Sequence, residues 1–316
     1  MLGITGATGK LGAKVALKLE RLGVKQRLIV RDAGRSPRLK KAEIAQILSY
    51  GDKSSMKKAL SGVKTLFLVS AQDRMGAAQQ AARKGLPAPP YDRLQEQMAA
   101  IDAAAAAGVN RIVYLSFLGA AEKAVFILSR EHYETEQYIR NKGIAYTFLR
   151  PCLYMENVPQ RVSGGGIIRA PAGTGRVAWV TRDDIADVAA AVLTAKGHEG
   201  RTYDVTGPES LTMAATAAKI AAAAGKKVEY ISQTPEEART LHNASGMHEF
   251  EAERRAFTGQ GLDEYEVEIW VTHYLQIAAG ALDAVSDTVP ELTGHPAQSL
   301  AGYLSLHPES YRHIGE

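Results

Sequence analysis

Gly6, Gly9 and Gly12 recur at three-residue spacing in the segment Leu2-Gly3-Ile4-Thr5-Gly6-Ala7-Thr8-Gly9-Lys10-Leu11-Gly12. A short apolar run, 2–5, enters this turn, and 10–22 reads as a helix leaving it. A strand, a glycine turn and a helix in that order form a cradle for phosphate. Gly6 permits the tight turn, Gly9 lets backbone approach a pyrophosphate, and Gly12 lets the helix pack close to the sheet. The helix start then offers unpaired N–H groups and the positive end of its dipole to an anion. The spacing is one residue longer in its first half than the common dinucleotide fingerprint. Thr8, Lys10 and Leu11 lie within the same cradle.

A basic group marks the end of the next strand, 26–30. Dinucleotide sites commonly carry an acid there to hold the ribose hydroxyls. This chain has Arg31, with Arg35 and Arg38 close by. A guanidinium suits the 2′-phosphate of NADP(H), which is therefore the expected cofactor, with NAD(H) the alternative. Asp32 follows directly and works against that preference. Ser116 ends another strand, 111–116, and His132 and Glu136 sit four apart on the following helix, sharing a face. The His–Glu pair could begin a metal site, but no third ligand is evident, and no metal is expected. His242 and His248 fall in a separate polar stretch and read as exposed.

The elements that must position these groups alternate. Strands are expected at 2–5, 26–30, 47–50, 65–70, 111–116 and 145–149, and helices at 10–22, 40–46, 56–60, 94–107 and 129–141. Strands apolar on both faces, alternating with helices, predict an α/β fold: a doubly wound parallel (Rossmann) sheet covered on both sides. After Arg150-Pro151 the alternation stops. Residues 182–195 and 202–205 read as a helix and a strand returning to the main sheet, while 211–224, 235–239 and 265–283 read as helices of a smaller, mostly helical C-terminal lobe. The expected division is a cofactor domain over 1–150, with 176–206 returning to it, and a substrate-side lobe over 151–316. Residues 72–91, polar and then rich in proline, follow the strand at 65–70 at its ligand edge and read as a tolerated surface insertion, a lid over the cofactor or an interface loop.

The 38 basic and 34 acidic side chains are too evenly matched to argue for nucleic acid, and fit a local site for an anionic small molecule. One cysteine, Cys152, rules out an intramolecular disulfide. No apolar run is long enough to span a bilayer. The glycine turn begins too early for a signal peptide to precede it, so a cytoplasmic location is expected.

The chain resembles the NmrA-like family of atypical short-chain dehydrogenases/reductases, and within it NAD(P)H-dependent quinone reductases and triphenylmethane dye reductases. The resemblance is carried by the glycine turn, Arg31-Asp32, Ala107-Gly108-Val109 leading into 111–116, and His132-Tyr133-Glu134-Thr135-Glu136. It continues through Gly143-Ile144-Ala145-Tyr146-Thr147-Phe148-Leu149-Arg150-Pro151, Tyr154-Met155-Glu156-Asn157, residues 180–186, Tyr203-Asp204-Val205-Thr206-Gly207-Pro208 and Leu292-Thr293-Gly294-His295-Pro296. The segment 72–91 departs from the usual pattern. The family implies that Ser116, His132 and the backbone around Pro151, Leu153 and Tyr154 surround the nicotinamide, with Tyr154 and Asn157 facing substrate. Asp52, Val69 and Ser70 complete the expected cofactor contacts, and His132, Ser116 and Tyr154 are the catalytic candidates.

The wider superfamily uses a tyrosine and a lysine four residues later. Tyr138 and Lys142 have that spacing, but Lys142 abuts the helix stop at Gly143, where a cation complements the helix dipole. Tyr133 is followed by Gln137. With Glu136 aligned to the family's glutamate, His132 takes the lysine's place and Leu128 the tyrosine's, so the proton-relay tyrosine is missing. That argues against alcohol oxidation and sugar-nucleotide epimerisation, in which a hydroxyl proton must leave as hydride moves. A quinone or a conjugated dye asks less: hydride goes to an electrophilic carbon, and a proton follows from water or a weak donor. The expected protein is an NADPH-dependent reductase of such small-molecule acceptors, monomeric or homodimeric. The alternative is a non-catalytic NAD(P)-sensing regulator of the NmrA type.

Overall fold

The computed structural model describes residues 1–70, 92–245 and 264–315. The expected lid or interface loop at 72–91 lies outside the described residues, as does His248; His242 lies where only the backbone is described.

Seven parallel strands form the central sheet: β1 (Leu2–Thr5), β2 (Gln26–Val30), β3 (Ala42–Gln46), β4 (Thr65–Val69), β5 (Arg111–Leu115), β6 (Ala145–Pro151) and, later in the chain, a strand at Arg201–Val205. The spatial order is β3-β2-β1-β4-β5-β6, with Arg201–Val205 at the far edge beside β6. Helices α1 (Lys10–Arg21), α2 (Lys53–Ala59), α3 (Arg93–Ala106) and α4 (Ile127–Asn141) follow β1, β3, β4 and β5. The chain fills one half of the sheet, then returns to place β4 against β1 on the other side. The strand order therefore reverses between β1 and β4, and the crevice at their C-terminal ends is where such sheets bind ligands.

Strand alternation builds two apolar layers. Ile4, Leu28, Val30, Phe67, Val113, Leu115 and Leu149 face α1 and the later segments. Ile29, Leu66, Leu68, Ile112, Tyr114 and Phe148 face α2, α3 and α4. After β6, two short strand pairs appear: β7 (Ile167–Ala170) beside β11 (Glu229–Ser232), and β8 (Arg176–Val177) beside β10 (Leu211–Thr212), which makes Arg201–Val205 β9. The helices of this region are α5 (Arg182–Thr194), α6 (Met213–Ala224), α7 (Pro235–Ser245), α8 (Glu264–Ala278), α9 (Thr288–Thr293) and α10 (Leu300–Leu306). α5 lies against α1, with Lys14 bonded to Asp183 at 2.8 Å and Lys18 to Asp187 at 2.5 Å.

Two expectations need correcting. Residues 40–46 were expected to form a helix and 47–50 a strand; instead Ala42–Gln46 is the edge strand β3, and 47–50 follow it as loop. Lys40, Lys41, Ala42, Glu43 and Gln46 favour helix intrinsically, but pairing with β2 overrides that preference. Arg27 of β2 fixes the pair by donating to Glu43 Oε2 from Nε at 3.0 Å and from the guanidinium terminus at 2.7 Å. The short strands β7, β8, β10 and β11 and the helices α9 and α10 were also missed. Each is too brief for its periodicity to stand out.

Candidate functional site

The glycine turn sits at the switch point. Thr5 ends β1, and its Oγ1 accepts from the Val69 N–H at 2.9 Å, tying the ends of β1 and β4 together. Gly6 takes a positive φ of 64°, and a Cβ there would lie 3.0 Å from Val69 Cβ. The Gly9 N–H donates to the Gly6 carbonyl at 2.9 Å and closes the turn. The three glycines do different work. A Cβ on Gly12 would fall 2.2 Å from Gly6 O, so α1 sits against the turn itself and leaves no room there. A Cβ on Gly9 would meet only Gly6 O, at 3.3 Å, and Gly9 is exposed. No side chain caps α1, and no acid lies in its first turn. Among the described residues, no side-chain cap and no first-turn acid compensates the free N–H groups and the helix dipole, which fits a phosphate group. Thr8 is half-buried, Lys10 exposed and Leu11 buried beside the turn.

Arg31 lies just past β2 and is half-buried; its carbonyl accepts from Gln46 Nε2 at 2.9 Å. Arg35 is exposed at the end of the one-turn 3-10 helix Ala33–Arg35. Asp32 spends its carboxylate on the Gly34 N–H at 2.9 Å, which explains an acid beside Arg31 without a role toward ribose. Asp52, expected among the cofactor contacts, is the N-cap of α2: its carboxylate accepts from the Ser55 N–H at 2.6 Å, which lowers its pKa.

Of the catalytic candidates, Ser116 follows β5, His132 lies on α4 and Tyr154 follows β6. Ser116 is buried, and its hydroxyl donates to Glu136 Oε1 at 2.5 Å. Glu136 is fully buried and also takes two bonds from Arg150, Nε at 2.8 Å and the guanidinium terminus at 2.6 Å. That pairing raises the Arg150 pKa. His132 is 7% exposed. Its Nε2 lies 3.0 Å from the Arg93 guanidinium and its Nδ1 2.8 Å from the Tyr114 hydroxyl. Burial, with Arg93 and Arg150 nearby, holds its pKa well below the usual histidine value. His132 and Glu136 do share a face, yet Arg93 and Tyr114 take the one while Ser116 and Arg150 take the other. Among the described residues no cluster suits a metal ion.

Pro151 is buried in β6, its carbonyl accepting from the Leu118 N–H at 2.9 Å. Leu153 O accepts from the Val180 N–H at 3.1 Å. Tyr154 and Asn157 converge on one cation: the Arg182 guanidinium lies 4.4 Å from the Tyr154 ring centroid and donates to Asn157 Oδ1 at 2.9 Å. Glu156 completes the group, accepting from the Arg182 N–H at 2.8 Å. Cys152 is buried and its thiol pushed up to about 12, which makes it inert.

The tyrosine–lysine pair of α4 is spent elsewhere. Tyr138 Oη donates to Asp102 Oδ1 at 2.8 Å, and Lys142 reaches the same oxygen at 2.6 Å. Lys142 is the C-cap residue of α4, but its amine serves an inter-helix ion pair with α3 rather than the helix carbonyls. Sequence reading missed Arg93, Gln97, Tyr114, Arg182 and His273. Tyr114 carried the only available signal, a polar-tipped residue inside the apolar strand 111–115. His273 of α8 is buried beside Phe126, their ring centroids 5.6 Å apart, and its Nε2 has no hydrogen-bond partner among the described residues.

The reversal of strand order, the glycine turn and the uncapped helix together define a doubly wound dinucleotide-binding protein. The NmrA-like family model matches residues 1–269, and the chain belongs to that family. It is 30% identical to an NAD(P)H azoreductase of Xenophilus azovorans over 98% of this chain and 99% of that one. Its structure superposes on the NADPH complex of an NADPH-dependent quinone oxidoreductase from Escherichia coli with a TM-score of 0.80, at 29% identity over 97% and 99% of the two chains. The Citrobacter sp. triphenylmethane reductase complexed with NADP(H) gives 0.77, at 29% identity over 97% and 99%. No helix among the described residues is long and apolar enough to cross a membrane.

Proposed function

We propose that this protein is an NADPH-dependent reductase that delivers hydride to a quinone-like or otherwise conjugated small-molecule acceptor. The observation that carries the reading is the uncapped N-terminus of α1 behind the Gly6–Gly9 turn, set at the switch point beside Val69. The reductases named above, similar to this chain over nearly its whole length, support it. In this reading Gly6, Thr8, Gly9, Lys10, Leu11 and Gly12 hold the pyrophosphate, and Arg31 with Arg35 holds the 2′-phosphate. Val69, Ser70, Ser116, His132, Pro151 and Leu153 border the nicotinamide, which supplies the hydride when bound. Tyr154 and Asn157 face the acceptor, and the segments after Pro151 form its side of the cleft.

The polar groups at the ends of β5 and β6 are held by hydrogen bonds to one another. The Ser116 hydroxyl donates its one hydrogen bond to Glu136, so toward other groups its oxygen can only accept. Glu136 is held between Ser116 and Arg150, which fixes the ends of β5 and β6 relative to α4. A hydride acceptor that needs no strong acid suits such a site. The test is NADPH consumption against a panel of quinones, azo dyes and triphenylmethane dyes. Turnover of at least one class is expected. Tight NADPH binding with no turnover of any would overturn the reading in favour of a cofactor-sensing regulator.

A further inference from the structure

We infer that Arg93 is a positioning residue that locks His132 as a neutral imidazole carrying its proton on Nδ1. Arg93 opens α3, is 5% exposed, and spreads its guanidinium over three partners. One terminal nitrogen donates to Glu131 Oε2 at 2.5 Å. The other donates to Ser70 Oγ at 2.9 Å and lies 3.0 Å from His132 Nε2. A guanidinium has donors only, so that last contact is a hydrogen bond only if Nε2 is bare. The opposite ring nitrogen agrees. The Tyr114 hydroxyl donates its single proton to Gln97 Oε1 at 2.8 Å, leaving its oxygen to accept from Nδ1–H at 2.8 Å. The bonds thus run in one direction, from Arg93 through His132 and Tyr114 to Gln97. The other neutral tautomer, or the imidazolium, would set an N–H against the guanidinium inside the protein.

Among the described residues, each charged group packed near this ring agrees with the neutral form or is already engaged. Arg93 comes from α3, Tyr114 from β5 and Arg150 from β6. On α4 itself, Glu136 is paired with Arg150, and Glu131 with Arg93 and the Tyr265 hydroxyl of α8. Phe117 covers the ring face, with centroids 6.2 Å apart and planes 23° from parallel. His132 stands where the wider superfamily has a lysine, and Arg93 turns that position from a titrating group into a fixed one.

The test has a spectroscopic arm and a kinetic arm. Two-bond proton–nitrogen spectra of the protein without cofactor, with His132 assigned through His132→Gln, report tautomer and charge directly. His132 is expected to carry its proton on Nδ1 and not to titrate between about pH 5 and 8. In Arg93→Met, loss of the cation and release of the Glu131 charge should shift its titration up into that window. Arg93→Lys, which keeps the charge, should restore the silent behaviour at least in part. A proton on Nε2, ordinary titration in the wild type, or an unchanged spectrum in a folded Arg93→Met would overturn the inference. The kinetic arm rests on the reductase reading: the kcat profile should gain an acid limb in Arg93→Met while KM for NADPH changes little. If no acceptor is turned over, the reductase reading fails and the spectra still decide the role of Arg93.

Discussion

Gly9 and Gly12 look alike in the sequence, and the structure separates them. Gly9 has φ −91° and ψ 165°, extended backbone open to any residue, and its added Cβ would stand 3.3 Å from Gly6 O. Gly9→Val should therefore cost the fold only a few tenths of a kcal/mol, a shift of about 1 °C in Tm for a chain of this size. In the proposed reading, its side chain would occupy the space where the pyrophosphate approaches α1. Losing one or two charge-assisted N–H contacts, each worth about 1.5–3 kcal/mol, raises the Kd for NADPH by about tenfold to several-hundredfold or more. Gly12→Ala should behave oppositely. Its Cβ would lie 2.2 Å from a backbone carbonyl, so α1 or the turn must move. Overpacking of that kind costs about 1–3 kcal/mol, or roughly 2–10 °C in Tm. Melting curves without cofactor and calorimetric titration with NADPH measure both variants. A folded Gly9→Val that binds NADPH like wild type would show that the turn is architectural only. A Gly12→Ala that melts with wild type would refute the packing argument.

Arg31→Ala should weaken NADPH by about 10- to 100-fold and NADH hardly at all, since a charge-assisted contact of about 1.5–3 kcal/mol is lost only with the 2′-phosphate; equal affinities for the two cofactors in wild type would remove the assignment. His132 and His273 are both buried with pKa values held well below the unfolded value of about 6.5. The unfolded chain then binds protons the native one does not, so stability is full above about pH 6.5 and falls as pH drops, by up to about 1.4 kcal/mol per pH unit for each histidine. Denaturant titrations between pH 6.5 and 5 should show this, with a shallower slope in His273→Phe; identical slopes would exclude His273 as a contributor. Lys142→Ala should leave turnover unchanged and lower the melting temperature only slightly, since its pair with Asp102 is solvent-screened; a large loss of kcat would make Tyr138 and Lys142 the catalytic pair after all.

What the sequence made legible was set by length and position. The parallel sheet and the glycine turn could be read because apolar runs such as 65–69 and 111–115 are long enough to show and each is punctuated by glycine or polar residues. β3 could not, because Ala42, Glu43 and Gln46 are helix formers and only the neighbour β2 decides otherwise. The candidates Gly6, Ser116 and His132 were chosen from local motifs; Gly6 follows β1, Ser116 follows β5 and His132 lies on α4. Their partners were hidden because they are non-local: Arg93 is 39 residues from His132, and Arg150 is 14 from Glu136. A buried arginine at the first position of a helix looks, in sequence, like a solvated one. Asp52 has a local role that the sequence pattern does not reveal by itself, as the cap of α2.

The buried polar groups around this edge have little protonic freedom left. Ser116 has donated to Glu136, Glu136 is bonded to Arg150, Tyr114 has donated to Gln97, and His132 is bound at both nitrogens. Burial raises the pKa of Tyr114 and of Tyr154, so neither yields a proton readily near neutrality. A reaction that must remove or deliver a proton as hydride moves would need one of these bonds to break inside the protein, leaving a buried polar group unsatisfied. An acceptor whose reduced form is a stabilised oxyanion or amine takes its proton from water after the transfer and requires no such break. In the proposed reading, this arrangement suits an electron-poor conjugated acceptor better than an isolated ketone or aldehyde, whose reduction requires general acid help as hydride arrives.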